Sequence, residues 1–351
     1  MDAENALLES LRPVLANEIP TRDLDKVVLQ KVVRDRSCIY FVGLHGPTFV
    51  RRWVVKQPAV TFRQADLEPP LPAAALFEAH ERLYEHLQRL DGSILAPRPV
   101  GVMPDVNAYV MEYVTGTLVS SHIAVRSVRT PHRLLHGMAE AARVLQTVHT
   151  LELAQPEIVQ LADLENEART TAAQLIRGAR LRVPAGGFFS GSSTSRSASA
   201  STVVLHGDFA PENVIVGDTG TYCLDADLAE KGAAEKDVVR YLVMLYQEKF
   251  FLVGADVPPV QDLRRRAAAA FLSAYYGDHP WPESLQPLMV VGLAARYVRR
   301  QMGGVPKSSR MPARRALERR ARKVLERRHF QKLLDEVSSQ DYFQRLQDAG
   351  R

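Results

Sequence analysis

The run from Leu205 to Asp227 constrains this chain more tightly than any other part of it. Leu205 leads into His206-Gly207-Asp208-Phe209-Ala210-Pro211-Glu212-Asn213. Val214-Ile215-Val216 and Tyr222-Cys223-Leu224 then form two short apolar runs parted by a turn, and the second ends in Asp225-Ala226-Asp227. Short blocks of β-branched and aromatic residues, bounded by Gly, Asp and Asn, read as strands joined by tight turns. The fold must therefore present Asp208 on a turn, and Asp225 and Asp227 at the end of a strand. Alternate residues of a strand face one side, so Asp225 and Asp227 lie together if the strand continues through them.

Those residue types suit one kind of chemistry. Phosphoryl transfer leaves a protein little covalent work, so positioning and charge neutralisation carry the rate. A carboxylate at Asp208 can accept the proton of an acceptor hydroxyl and aim its oxygen at phosphorus. Mg²⁺ takes hard oxygen ligands and keeps several waters, so the amide oxygen of Asn213 and the carboxylate of Asp225 suffice when phosphates complete its shell. The structural alternative is a polar turn between two strands.

The spacing from Asp208 to Asn213 equals that of the protein-kinase catalytic loop, with Gly207 where that loop carries Arg. In this form, followed by a second strand and another Asp, the segment resembles the aminoglycoside phosphotransferase and choline kinase family. The resemblance implies ATP and Mg²⁺ as cofactors, Asp208 as catalytic base, Asn213 and Asp225 as metal ligands, and Asp227 as a second acid acting on the metal directly or through water. It also implies that His206 is a scaffold of the loop. Asp237, opening the helical run Asp237-Val238-Val239-Arg240-Tyr241-Leu242, would brace that loop.

The upstream parts come in the order such a protein needs. Val27-Val28-Leu29, Cys38–Val42 and Phe49–Lys56 read as strands, with a hairpin turn at His45-Gly46-Pro47-Thr48. A lysine ending a strand is commonly just solvated; the resemblance makes Lys56 the partner of the α- and β-phosphates. Helical periodicity follows from Ala73 to about Leu90, with Leu76, Phe77, Leu83, Leu87 and Leu90 as its apolar positions. The family takes from this helix a Glu that holds the lysine. Glu78, Glu81 and Glu85 share a face, and Glu78 is favoured with Glu81 next; a solvated acidic face is the alternative. Tyr109–Gly116 reads as the strand and hinge joining two lobes, with Glu112 and Tyr113 as adenine-side candidates. One departure stands out: the loop expected to cover the phosphates, Arg34-Asp35-Arg36-Ser37, has no glycine to let backbone amides approach them.

Downstream, Leu134, Leu135, Met138, Ala141, Ala142, Leu145 and Val148 recur at helical spacing and end at His149, read as a packed helix-end residue. Leu161 to Leu181 reads as another helix. Residues 184–201, rich in Gly and Ser, cannot bury a face and read as an unstructured insertion. Between Arg296 and Lys332 fourteen Lys and Arg stand against Glu318 and Glu326, while the whole chain carries only +5, so its basicity is local. Leu317, Ala321, Val324, Phe330, Leu334 and Val337 can form a packed stripe there. The outward arginines would be a solvated face or a contact with an anionic surface. Aromatic interleaving is missing, so stable nucleic-acid binding is not expected.

With 351 residues, 46% hydrophobic and 24% charged, the chain can bury a large core. No run is long enough to span a bilayer, and the acidic start Met1-Asp2-Ala3-Glu4-Asn5 does not resemble a secretory signal. Cys38 and Cys223 lie in apolar strand patterns and read as core thiols of a reducing, cytoplasmic protein. The expected fold class is α+β, two-lobed and protein-kinase-like. Residues 1–113 would form a small antiparallel-sheet lobe that binds nucleotide. Residues 114–351 would form a larger, mainly helical lobe, with the 184–201 insertion and a basic helical tail at 306–351.

The expected activity is ATP- and Mg²⁺-dependent phosphorylation of a hydroxyl on a small-molecule acceptor. Cationic acceptors call for an acidic receiving surface, and positive charge gathers late in the chain instead. If that charge lies beside the cleft, the acceptor is expected to be neutral or anionic: a sugar, a sugar phosphate or a lipid headgroup. A nucleotide-binding module without turnover is the first alternative, suggested by the glycine-free loop. A protein kinase or nucleotidyl-type transferase is the second. It is disfavoured because Leu224-Asp225-Ala226-Asp227 lacks Asp-Phe-Gly and the helix at Asp237 begins too soon for a substrate-docking loop.

Overall fold

The structure is a computed structural model that describes residues 3–20, 23, 26–33, 37–44, 50–58, 71–90, 92–153, 157–179, 181–182, 199–228, 230–302, 327–339 and 341–350. In chain order its first elements are α1 (Ala3–Leu15), β1 (Val27–Val33), β2 (Ser37–Leu44), β3 (Val50–Pro58), α2 (Ala73–Arg89), β4 (Ile94–Leu95), β5 (Pro99–Met103), β6 (Ala108–Glu112) and β7 (Thr117–Leu118). Then come α3 (Arg126–Arg129), α4 (His132–Val148), β8 (Ile158–Gln160), α5 (Leu161–Gly178), β9 (Ser199–Ser201), β10 (Val203–Val204), β11 (Val214–Val216), β12 (Thr221–Cys223) and β13 (Lys231–Gly232). The chain ends in α6 (Glu235–Tyr246), α7 (Lys249–Val253), α8 (Pro258–Tyr276), α9 (Leu285–Met302), α10 (327–337) and α11 (Tyr342–Gly350). An antiparallel-sheet region followed by a helical region is the kinase-like α+β arrangement expected.

Two compact units divide the chain: Met1–Thr117 with Ile215–Leu228, and Leu118–Val214 with Ala229–Arg351. The sequence reading set its boundary at 113 and kept the 215–228 hairpin with the second part. In the structure that hairpin belongs to the first unit, because β12 runs parallel to β4, with Thr221 opposite Ile94.

The first unit is built on an antiparallel sheet in the order β1-β2-β3-β6-β5. Leu7, Leu11 and Leu15 of α1 recur every fourth residue, so they share a face. With Ile19 they are buried against Tyr40, Val42, Trp53, Val55, Met103, Ala108 and Val110. Glu18, just past α1, takes two bonds from the Arg98 guanidinium at 3.0 and 2.5 Å, tying the helix to the start of β5. The side-chain oxygen of Asn107 accepts the Ala73 N–H at 2.8 Å and so caps α2 from the β5–β6 turn. α2 buries Ala73, His80, Leu83 and Leu87. Leu90, expected on that apolar face, follows the helix and is 49% exposed.

In the second unit α4 packs against α8, and its Leu134, Met138, Ala141, Ala142, Leu145 and Val148 are buried as their spacing requires, with Leu135 only half-buried. Tyr241 of α6 stacks on Phe271 of α8 with ring centroids 4.2 Å apart, and Phe209 lies 5.1 Å from Tyr241. α10 buries Phe330, Leu334 and Val337, the last part of the expected stripe. Its Glu336 pairs with Arg264 and, at 3.0 Å, with Arg265. α5 ends at Gly178 rather than near Leu181. Ser199–Ser201, the end of the stretch read as unstructured, pairs antiparallel with Ile158–Gln160. The rest of that stretch, the basic run 303–326, the loop residues Arg34–Arg36 and the turn 45–49 lie outside the described residues. Among the described residues no helix is long and apolar enough to cross a membrane.

Candidate active site

The loop that carries Asp208 is held from beneath by one buried acid. Gly207 sits at φ 84, a left-handed conformation that costs glycine nothing and a side chain about 1 kcal/mol or more. That turn aims two successive amides at Asp237 in the first turn of α6: the His206 N–H donates to Oδ2 at 2.6 Å and the Gly207 N–H to Oδ1 at 3.3 Å. His149, at the end of α4, meets Asp237 Oδ2 through Nε2 at 3.2 Å and the Tyr275 hydroxyl through Nδ1 at 2.7 Å. Burial raises the Asp237 pKa, but His149, His206 and the backbone donor together hold it below the usual aspartate value.

His206 is fully buried, edge-on to Phe209 at 5.0 Å, and its Nδ1 accepts the Asp208 N–H at 3.4 Å. The Asn213 side-chain nitrogen donates to the Asp208 carbonyl at 2.8 Å. That bond fixes which end of the carboxamide is oxygen and ties residue 213 to the loop. The Asp208 carboxylate itself is 42% exposed and accepts from Nη1 of Arg240 at 3.1 Å.

A second cluster lies wholly in the first unit. Lys56 of β3 stands opposite Tyr109 of β6 in the antiparallel register. Its ammonium is 2.7 Å from Asp225 Oδ1, with 12% of the lysine side chain exposed. Burial opposes the lysine charge, but Asp225, Tyr109 and Asp227 outweigh it and hold the pKa above the ordinary lysine value. Burial likewise pushes the Tyr109 phenol up, against the pull of Lys56. β12 ends at Cys223, and Asp225 takes a left-handed φ of 58. The strand therefore does not continue through Asp225 and Asp227, the condition on which they would share one of its faces, although both carboxylates act on Lys56.

The partner of Lys56 is thus Asp225. Glu78, Glu81 and Glu85 are all exposed on α2. Its inward polar residue is His80, buried, with Nε2 2.7 Å from the Pro97 carbonyl and its ring 6.3 Å from that of Tyr109. At about 100° per residue, Glu78 points roughly 200° away from His80. At the end of β6, the amides of Glu112 and Tyr113 donate to the carbonyls of Arg98 and Arg52 at 2.9 and 2.8 Å, and Tyr113 packs edge-on against Phe41.

Tyr109, His80, Tyr275 and Arg240 were not singled out from the sequence, and His149 was read only as packing. Tyr109 was within reach: strands two and three fix where Lys56 sits, and β6 must pair beside them. The other four depend on helix faces meeting across long separations.

The profile of the phosphotransferase enzyme family, APH, matches residues 39–283. The chain belongs to that family. Among solved structures, amicoumacin kinase hAmiN in complex with AMP-PNP, Ca²⁺ and Ami is 11% identical, with a TM-score of 0.50 over 98% of this chain and 99% of that one. Glucosamine kinase in complex with glucosamine, ADP and inorganic phosphate is 19% identical, with a TM-score of 0.50 over 83% and 78%. A choline/ethanolamine kinase family protein from Mesorhizobium loti is 13% identical over 97% and 98%, with a TM-score of 0.49. At such identities the likeness to the two kinases at 0.50 concerns the fold alone. Among curated proteins none matches the sequence significantly.

Proposed function

We propose that this APH-family phosphotransferase moves the γ-phosphoryl group of ATP to a hydroxyl of a small neutral or anionic acceptor, with Asp208 as base. The observation that carries the reading is the contrast within one loop: a half-exposed Asp208 carboxylate on a backbone pinned by the buried Asp237. A base must be reachable yet unable to wander, and this arrangement supplies both. Asp208 would take the hydroxyl proton as the oxygen attacks phosphorus. His206, Asp237 and His149 would hold the loop in register without touching the acceptor.

The donor set suits Mg²⁺, since an amide oxygen and carboxylates are hard ligands. Asn213 of the second unit, with its nitrogen engaged, would offer its oxygen, and Asp225 and Asp227 of the first unit would offer carboxylates. The ion, when bound, would neutralise charge on the phosphates. Lys56 would then exchange its bond to Asp225 for the α- and β-phosphate oxygens. Glu112 and Tyr113 would lie on the adenine side.

The test is Mg²⁺-dependent ATP consumption by purified protein with sugar, amine-alcohol and lipid-headgroup acceptors, run beside Asp208→Asn. Acceptor-dependent consumption that vanishes in the variant supports the reading. Nucleotide binding without consumption for any acceptor would favour a binding module instead.

A further inference from the structure

Arg240 lies in α6 one turn beyond Asp237, flanked by the buried Val239 and Tyr241. Its place is therefore fixed by the same packing that braces the loop. Nη1 donates to Asp208 Oδ1 at 3.1 Å, and Asp208 is its partner among the described residues. A guanidinium carries five N–H donors in a planar fork. The arginine side chain is 44% exposed, so donors remain turned to solvent beside the base.

Holding the loop together does not account for this pair. An ion pair with both members about half exposed is worth about 0–1 kcal/mol. The buried Asp237 already satisfies the loop amides. What the pair does change is the charge met by an incoming molecule. Asp208 alone would attract a cation and repel an anion; Arg240 at 3.1 Å cancels that field and adds a planar donor fork suited to oxyanions. An ammonium-bearing acceptor would have to shed water next to the guanidinium, whereas a phosphate or carboxylate could take its unused donors.

We propose that Arg240 is a specificity-determining residue of this phosphotransferase. It would receive an oxyanion, phosphate or carboxylate, carried by the acceptor near the hydroxyl presented to Asp208. This rests on the reading of Asp208 as the base, and it narrows the acceptor from neutral or anionic to anionic.

Matched acceptors test it: glucose against glucose 6-phosphate, glucuronate and glucosamine, and glycerol against glycerol 3-phosphate, at low and high salt. Wild-type protein should show the higher kcat/KM for the anionic member of a pair. Arg240→Gln should lower that value at least tenfold more for the anionic member than for the neutral one, chiefly through KM and more at low salt. Arg240→Lys should restore part of it. An equal loss for both members, carried by kcat, would make Arg240 merely a positioning group for Asp208 and overturn the proposal. So would a wild-type preference for glucosamine, or no turnover with any anionic member. Asp208→Asn separates the two readings: if it stays active, the base assignment fails whatever Arg240 does. If it is silent while Arg240→Gln is unselective, only the oxyanion role fails.

Discussion

Asp237 and Asp225 are both carboxylates set just after a change of secondary structure, yet their surroundings differ in kind. Asp237 is 2% exposed and takes its bonds from the amides of His206 and Gly207 and from the His149 ring, all groups fixed by packing. Asp225 is 29% exposed at the side chain, sits at a left-handed φ of 58, and meets Lys56, whose charge rides on a flexible stem. A carboxylate filled by backbone donors has nothing left to exchange. One held by an ammonium can trade that partner for another cation, provided the mostly buried lysine finds an anion in its place. On the proposed function, the loop around Asp208 would stay as it is, and the Lys56–Asp225 pair would be the one to change partners.

The largest effect expected from this contrast is on nucleotide binding. Asp225→Ala should abolish Mg²⁺-dependent nucleotide binding, and Asn213→Ala should weaken it less because an amide is a neutral ligand. Calorimetric titration of MgATP reads both. Unchanged affinity in the two variants would mean that Asp225 is as architectural as Asp237. Next in size is turnover: Asp208→Asn should lower kcat by about 10²–10⁴-fold with ATP binding little altered. Near-normal turnover in a folded variant would reject Asp208 as the base.

Asp237→Asn should register first in stability. It replaces a charged acceptor of buried N–H groups by a neutral one, a loss of about 1.5–3 kcal/mol that thermal melting can follow. The pH dependence has a definite sign. A carboxyl whose folded pKa lies below its unfolded value of 3.8 contributes stability above that value and loses it as pH falls through the folded pKa. Wild type should therefore lose its advantage over Asp237→Asn below about pH 4. An advantage that persists in acid would locate the role of Asp237 in packing.

How much of this could be read beforehand follows from how local each feature is. Residues 205–227 were legible because strand, turn and strand are written in consecutive residues. The left-handed turn at Gly207 and the Asn213 bond to Asp208 also span only a few positions, but residue types alone do not declare them, and Asn213 was read only as a metal ligand. The Asp237–His149 contact closes over 88 residues and the His149–Tyr275 contact over 126, so no window of sequence contains them. The partner of Lys56 was assigned by resemblance to a glutamate of α2. The face of α2 that packs is set by Ala73, Leu83 and Leu87, and it carries His80 inward while Glu78 turns to solvent. α1 shows the opposite kind of miss: Leu7, Leu11 and Leu15 declare an amphipathic helix, but the N-terminus was read only for a secretory signal.

His80 gives the smallest effect and the finest test of the contrast, since it lies on the changeable side yet is itself buried. Its Nε2 faces a carbonyl, which only accepts, so that nitrogen carries the proton and the neutral ring makes this bond without charging. Burial lowers its pKa, with Lys56 pushing the same way, while the Pro97 bond and Asp225 oppose. The unfolded chain therefore takes up a proton before the folded one as pH falls below the ordinary histidine value of about 6.5, and stability declines there. His80→Gln keeps a donor for Pro97 but cannot titrate. Between pH 7.5 and 5.5 the melting temperature of wild type should fall more than that of His80→Gln. The gap should be a few degrees, since about 1 kcal/mol moves a large domain by about 2–4 °C. Equal falls would show that His80 accepts its proton in the folded state, which requires either water at the α2 face or an Asp225 carboxylate close enough to welcome the charge. In that case the difference between the firmly held Asp237 and the Lys56-paired Asp225 would extend to the buried face of α2.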